Sequence, residues 1–178
     1  MQLLGEYYGC PTGVHGGKTD SCFHDEQTGV EKAASMLMGV LAGAVGIGTI
    51  GHLENAVTFS PAQLVIDNEI AGFVRRCVRE PIEVSEETLA TALVDSVGPG
   101  GNFLTSPHTA EHFRDELFLS PLFGARGWED ARGRPEEFET SAKAEAMARE
   151  LWKPPEAPVL SDGQIAEIDA IVGRATGG

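Results

Sequence analysis

The sequence predicts an α/β fold in which parallel strands are joined by crossover helices: a portion of a βα barrel with additional helices after it. Three observations carry this. Short apolar runs of strand length alternate with longer stretches of helical periodicity, the order that crossover connections require. Polar loops follow the apolar runs and precede helices that open on strong capping signals. The 178 residues show only two or three candidate strands, too few for a complete barrel, which takes about 250 residues.

Taken in order, residues 2–9 read as the last turns of a helix, ended by Cys10-Pro11. Residues 12–16 form the first candidate strand, and Gly17 to His24 a polar loop. Asp25 suits an N-cap, after which Val30, Ala33, Ala34, Leu37, Met38 and Leu41 recur at helical spacing to about Gly43. Residues 45–50 are a second apolar run, and His52 to Phe59 a loop. Ser60-Pro61 combines a capping hydroxyl with proline at the first helical position. In that helix Ile66, Ile70, Phe73, Val74 and Cys77 define the expected buried face. Arg75, Arg76 and Arg79 load the end that the helix dipole makes favourable for cations, and Pro81 stops it.

Ser85 caps a further helix carrying Leu89, Ala92, Leu93 and Val97, which stops at Gly98. Residues 98–104 are a tight loop or a strand entry, and Ser106-Pro107 opens a helix through about Leu117. Residues 120–135 read as irregular and 136–152 as an exposed helix rich in Glu, Ala and Lys. Pro154, Pro155 and Pro158 stiffen a linker, and Ser161 with Gln164 makes a capping box for a last helix through about Gly173. Two regions follow: residues 1–119 as the barrel portion, and 120–178 as a helical tail with a proline-rich linker at 153–158.

A net charge of −14 disfavours nucleic acid and anionic membrane surfaces, because phosphate would be repelled. The expected partners are neutral or cationic molecules, or a protein with a complementary patch. Cys10, Cys22 and Cys77 always leave one thiol unpaired, which suits a reducing compartment. With no basic-then-apolar leader visible, the cytoplasm is expected. Ala33 to Leu53 carries no Asp, Glu, Lys or Arg, and roughly 20 uncharged residues are enough to span a bilayer. Glycines crowd that stretch, however, and its flanks lack a basic bias. A buried helix turning into a buried strand is the favoured reading, with no membrane partner.

Gly46-Ile-Gly48-Thr-Ile-Gly51 matches a dinucleotide fingerprint in letters. That motif needs a strand before it and a helix opening at its last glycine, whereas here a helix precedes it and a polar loop follows. Cys10, His15, Cys22 and His24 form a conceivable zinc set, but their spacing is irregular and no metal is expected. Position is the stronger signal. Three polar clusters each follow a candidate strand and precede a capped helix: residues 15–25, 51–55 and 100–108. In a βα barrel such loops open on one face, where ligands bind. Asp20, His52, Glu54, Asn102 and His108 are therefore expected to converge. Asp25 reads more readily as a cap than as a ligand, and Asn102 also suits a turn. Glu54, at the end of an apolar strand, has to be paired or exposed.

Gly16-Gly-Lys-Thr-Asp20-Ser with Asp25-Glu-Gln27, Leu53-Glu54 with Thr58-Phe-Ser60, Gln63-Leu-Val-Ile-Asp67-Asn-Glu69-Ile, and Gly98-Pro-Gly-Gly-Asn-Phe-Leu104 with His108-Thr together resemble the trimethylamine methyltransferase family. The similarity runs from about Gly13 to Leu117 and more loosely through the tail. The resemblance implies a (β/α)8 barrel of the TIM type, of which the chain is roughly the C-terminal third. It also implies transfer of a methyl group from a small methylated amine to the cobalt of a separate corrinoid protein, the cobalamin cofactor being the partner's and none bound tightly here. Trimethylamine-specific members carry pyrrolysine, and members without it are similar to glycine betaine methyltransferases. This sequence has no nonstandard residue, which favours a quaternary amine. On this expectation Glu54 and His52 are the catalytic residues. Asp20, Asn102, His108, Phe59 and Phe103 bind substrate, the carboxylates offsetting its positive charge and the phenyl faces adding cation–π attraction. A partial barrel exposes strand edges and apolar helix faces, so self-association is expected, and a non-catalytic docking module is the alternative.

Overall fold

The parallel pairing expected from the alternating pattern is present as one βαβ unit. Strand β1 (Gly13–Val14) lies parallel to β2 (Gly46–Ile47), with Gly13 opposite Gly46 and Val14 opposite Ile47. Helix α2 (Glu26–Leu41) connects them. Val45 N donates to Thr12 O at 2.9 Å and Gly48 N to Val14 O at 2.7 Å, prolonging the pairing at both ends. The chain is thus helix-rich α/β. This computed structural model describes residues 2–79, 83–124, 127–133 and 139–176.

The helix starts follow their caps. The Asp25 carboxylate accepts from Thr28 N at 2.9 Å and opens α2. Ser60 Oγ accepts from Gln63 N at 3.2 Å and opens α3 (Pro61–Cys77). A short α1 (Gln2–Tyr8) precedes the unit. The expected stop at Pro81 lies outside the described residues; α3 ends at Cys77, capped by Val78.

The buried face of α2 overlaps the expected apolar stripe only in part: Ala33 and Leu37 pack against the core, and the rest of the face is different. Thr28, Lys32, Met36 and Gly39 are buried, while Val30, Met38 and Leu41 are 65–68% exposed. Gly39 explains the rotation: a Cβ there would stand 2.6 Å from Val14 Cγ2 and 3.1 Å from Ile47 Cδ1. Helix α2 therefore turns Gly39 onto the two strands, and polar Thr28 and Lys32 follow on the same face. On α3, Ile66, Ile70 and Val74 are buried as expected, whereas Phe73 and Cys77 are exposed.

Residues 52–59 form a small hairpin where a loop was expected. Strand β3 (His52–Leu53) pairs antiparallel with β4 (Thr58–Phe59) across a left-handed turn at Glu54–Ala56. The helix expected from Ser85 to Gly98 is two helices, α4 (Glu86–Leu89) and α5 (Thr91–Val97), broken where Ala90 adopts φ 49. Residues 98–101 turn through Gly98 (φ 64) and Gly100 (φ 80) without forming a strand. Helix α6 (Pro107–Glu116) begins on the Ser106 cap, and its C-terminal end is tied to α3 by Arg76 and to the residues just past α3 by Arg79, which both bond Glu116. A four-residue helix α7 (Trp128–Ala131) lies in the stretch expected to be irregular. Helix α8 (Thr140–Leu151) follows, and the expected start at 136 lies outside the described residues.

Two compact units divide the chain, Met1–Ala148 and Arg149–Gly178. In the first, Met36, Ala62, Ile66, Ile70, Val74, Leu122 and Ala144 make one apolar core. Leu122 is brought in by a turn in which Ser120 Oγ accepts from Leu122 N and Phe123 N and donates to the buried Glu69 carboxylate. In the second, Ser161 and Gln164 form the expected reciprocal cap on α9 (Asp162–Thr176), whose Ile165, Ile168, Ile171 and Val172 share one exposed face.

Candidate functional site

Because β1 and β2 are parallel, the loops that follow them leave from the same edge of the pair. The structure then binds these loops to one another. Gly17 N donates to Gly48 O at 3.0 Å, Glu54 N to Ser21 O at 2.8 Å, and Asn55 N to Thr19 O at 2.7 Å. Lys18 Nζ adds a bond to Asn55 Oδ1 at 3.1 Å. Gly17 permits the approach, since a Cβ there would meet Thr49 O at 2.7 Å. Asp20 is thereby carried to the His52–Glu54 turn.

That turn is strained. Thr49, Glu54, Asn55 and Ala56 all have positive φ, between 51 and 73. For residues bearing a Cβ this costs about 1–2 kcal/mol each, and asparagine tolerates it best. Such strain gathers at functional sites, where surrounding contacts hold it. Glu54 is exposed, and its Oε2 accepts from Thr58 Oγ1 at 2.9 Å, across the hairpin. His52 Nδ1 lies 3.0 Å from Ile50 O. A carbonyl only accepts, so Nδ1 carries the proton and Nε2 is left for a ligand. The ring of Phe59 packs edge-on against His52, centroids 5.6 Å apart, and is about half exposed. Anionic, aromatic and imidazole groups therefore stand together on one turn, with Asp20 alongside.

The remaining expected site residues are held apart from this cluster. Asn102 Oδ1 accepts from Leu104 N at 2.7 Å, an Asx turn that keeps its backbone folded. His108 Nε2 lies 3.1 Å from Glu87 O, and its ring is 4.5 Å from that of His112. Phe103 is exposed beside Asn102. Among the described residues, no hydrogen bond, ion pair or ring contact joins Asn102, Phe103 or His108 to the Asp20–Glu54 cluster. Two of the three expected loops meet; the third is tied to α4. Of the early Cys/His set, His24 Nε2 bonds Ser60 Oγ at 2.9 Å. Among the described residues no three His, Cys, Asp or Glu are arranged to hold a metal, and no helix is long and apolar enough to cross a membrane.

Two groups of residues behind the loops were missed by sequence reasoning. Glu31 on α2 accepts from Thr19 Oγ1 at 2.7 Å, Asp20 N at 2.9 Å and Gln27 Nε2 at 2.9 Å. The Thr19 hydroxyl, then the Asp20 amide, hold its carboxyl below the usual carboxylate range. Asp25 is lowered likewise by the Thr28 amide and then the Ser21 hydroxyl. Deeper lies a wholly buried ion pair, Lys32 Nζ to Asp67 Oδ2 at 2.7 Å. Its signal in the sequence was periodicity: Gln63 and Asp67 share helical spacing with Ile66, Ile70 and Val74, and polar residues on a core face are there for each other.

A parallel strand pair with both trailing loops bound to one another at one edge defines an α/β protein. A profile of the trimethylamine methyltransferase (MTTB) family matches residues 1–177, and the chain belongs to that family. It is similar to trimethylamine methyltransferase MttB2 of Methanosarcina mazei, 33% identical over 172 residues, covering 97% of this chain and 34% of that protein. Trimethylamine methyltransferase MttB of Methanosarcina thermophila is 44% identical over 108 residues, 61% of this chain and 22% of its own length. A glycine betaine methyltransferase of Desulfitobacterium hafniense is 28% identical over 172 residues, 96% of this chain and 35% of its own length. The chain thus spans about a third or less of the relatives it matches.

Proposed function

We propose that this chain is the C-terminal part of a methyltransferase that moves a methyl group from a quaternary amine such as glycine betaine to the cobalt of a corrinoid protein. Family membership supports the reaction class. The observation that carries the site is the binding of the 17–25 loop to the 51–60 hairpin, which gathers Asp20, His52, Glu54 and Phe59. We infer further that β1–α2–β2 is a sector of a (β/α)8 barrel, with this edge as its ligand face.

A quaternary nitrogen already carries the leaving-group charge. The corrinoid's reduced cobalt supplies the electron pair for a displacement at the methyl carbon; the carbon–nitrogen bond breaks and the nitrogen departs with its pair as a neutral tertiary amine. The work left to this chain is orientation and charge balance. Glu54, oriented by Thr58, and Asp20 face the cation, and Phe59 offers its ring, a contribution of about 0.5–2 kcal/mol. His52 meets the substrate carboxylate through Nε2 when the ring carries its second proton.

Titration of the chain with glycine betaine, alongside methyl transfer to free reduced cobalamin, tests this reading. Glu54→Gln, which removes the charge set against the quaternary nitrogen, and His52→Ala, which removes a hydrogen bond to the substrate carboxylate, should each weaken betaine binding by about tenfold or more. Unchanged binding in both would remove the hairpin from the site. Betaine binding without methyl transfer would favour the second reading, a non-catalytic module. Exposed Val30, Met38 and Leu41 on α2 support that alternative, since they offer an apolar face to another protein or a second copy.

A further inference from the structure

Asp67 sits on α3, behind the hairpin, and is entirely buried. Its two oxygens receive three donors from three directions. Oδ2 accepts from Lys32 Nζ on α2 at 2.7 Å and from Gly51 N at 2.6 Å; Oδ1 accepts from Gln63 Nε2 at 2.7 Å. Gly51 is the residue immediately before His52. Its carbonyl accepts from Ser60 N at 2.8 Å, so both of its main-chain polar groups are held. At φ 78 it is a position only glycine fills without strain, and a Cβ there would stand 2.6 Å from the Phe59 ring.

Two features argue that this arrangement does more than stabilise. A buried ion pair is weak support for stability, because apolar residues of equal volume commonly do as well. Gln63, also wholly buried, leaves its own Oε1 without a partner among the described residues in order to donate to Asp67. The side chains around Asp67 are thus arranged to fix its carboxylate, and among the described residues the one group it holds outside its own helix pair is the main chain at Gly51.

We propose that Asp67, oriented by Lys32 and Gln63, is a positioning residue: it anchors the Gly51 amide and thereby sets where His52, Glu54 and Phe59 meet a quaternary cation. This rests on the hairpin being the substrate site. Lys32 and Gln63 serve the anchor and do not touch substrate.

Paired substitutions separate the hydrogen bond from the charge. In K32Q/D67N the amide oxygen introduced at position 67 still accepts from Gly51, and the amide introduced at position 32 still donates to it. Gln63 turns its own amide so that Oε1 takes the new N–H. In K32M/D67L the volume remains and the acceptor is gone. The readouts are hydrogen exchange at the Gly51 amide and affinity for glycine betaine, with thermal melting to confirm folding. K32Q/D67N should retain Gly51 protection and affinity. K32M/D67L should lose at least about tenfold in both, the scale of one hydrogen bond; unchanged values in that folded variant overturn the proposal. If it does not fold, scalar coupling across the hydrogen bond between the Gly51 amide nitrogen and the Asp67 carboxyl carbon decides in the unaltered chain, and its absence overturns the anchor. Should the unaltered chain bind no betaine, the substrate reading fails by itself, and Gly51 protection still reports on the anchor.

Discussion

Single carboxylates and hydroxyls decide where the helices of this chain begin. Asp25 and Glu31 both have lowered pKa values because the folded chain donates hydrogen bonds to their ionised forms. A depressed folded-state pKa contributes stability at neutral pH that is lost as pH falls through the lowered value. Urea midpoints of the unaltered chain and of D25N/E31Q should therefore differ at neutral pH and converge in acid; a gap independent of pH would assign the stabilisation elsewhere. Ser60 caps α3 and bonds His24 at once, so Ser60→Ala should cost about 1 kcal/mol in the same measurement. Caps of this kind were legible from the letters at Asp25, Ser60, Ser85 and Ser161, because a cap is a bond between neighbours in sequence. The Lys32–Asp67 pair was not, because it joins residues on two helices whose packing the letters do not give.

At the scale of elements, most helices were readable and so was the α3 face at Ile66, Ile70 and Val74, whereas the α2 face was readable only in part, at Ala33 and Leu37. Of the expected α2 stripe, Ala33 and Leu37 reach the core while Val30, Met38 and Leu41 do not, because Gly39 governs the packing by letting α2 approach Val14 and Ile47. Gly39→Ala gains about 1 kcal/mol of helix propensity, yet it presses a methyl onto the stiff Val14 side chain. Net destabilisation of about 1–3 kcal/mol is expected by chemical denaturation, the usual cost of overpacking. Ala90 offers the opposite case. In one continuous helix, as the pattern from Ser85 to Gly98 suggested, Ala90→Gly would cost about 1 kcal/mol. With Ala90 at φ 49 between α4 and α5, the same change should leave stability unaltered or raise it. The hairpin at 52–59 escaped the sequence because its strands are two residues each and its turn is made by Glu54, Asn55 and Ala56 rather than by glycine.

Over the whole molecule, a charge of −14 opposes the association that its exposed apolar residues favour. Added salt screens the first without weakening the second. Sedimentation at rising ionic strength should accordingly show growing self-association, and a monomer at every salt concentration would speak against an uncovered barrel face. The meeting of the first two strand-end loops was foreseeable from their position after parallel strands, while the tethering of residues 102–108 to α4 depended on a contact, His108 to Glu87, that no local pattern announces. The amides of Glu54 and Asn55 donate to the carbonyls of Ser21 and Thr19, and bonds from Gly17 to Gly48, Lys18 to Asn55 and His24 to Ser60 join the same segments, which makes the two loops one piece of architecture. On the proposed function, substrate preference is not transplanted by swapping the hairpin alone: a graft of residues 48–60 from a relative has to bring residues 17–25 with it, or the seam between them is left without its stitches.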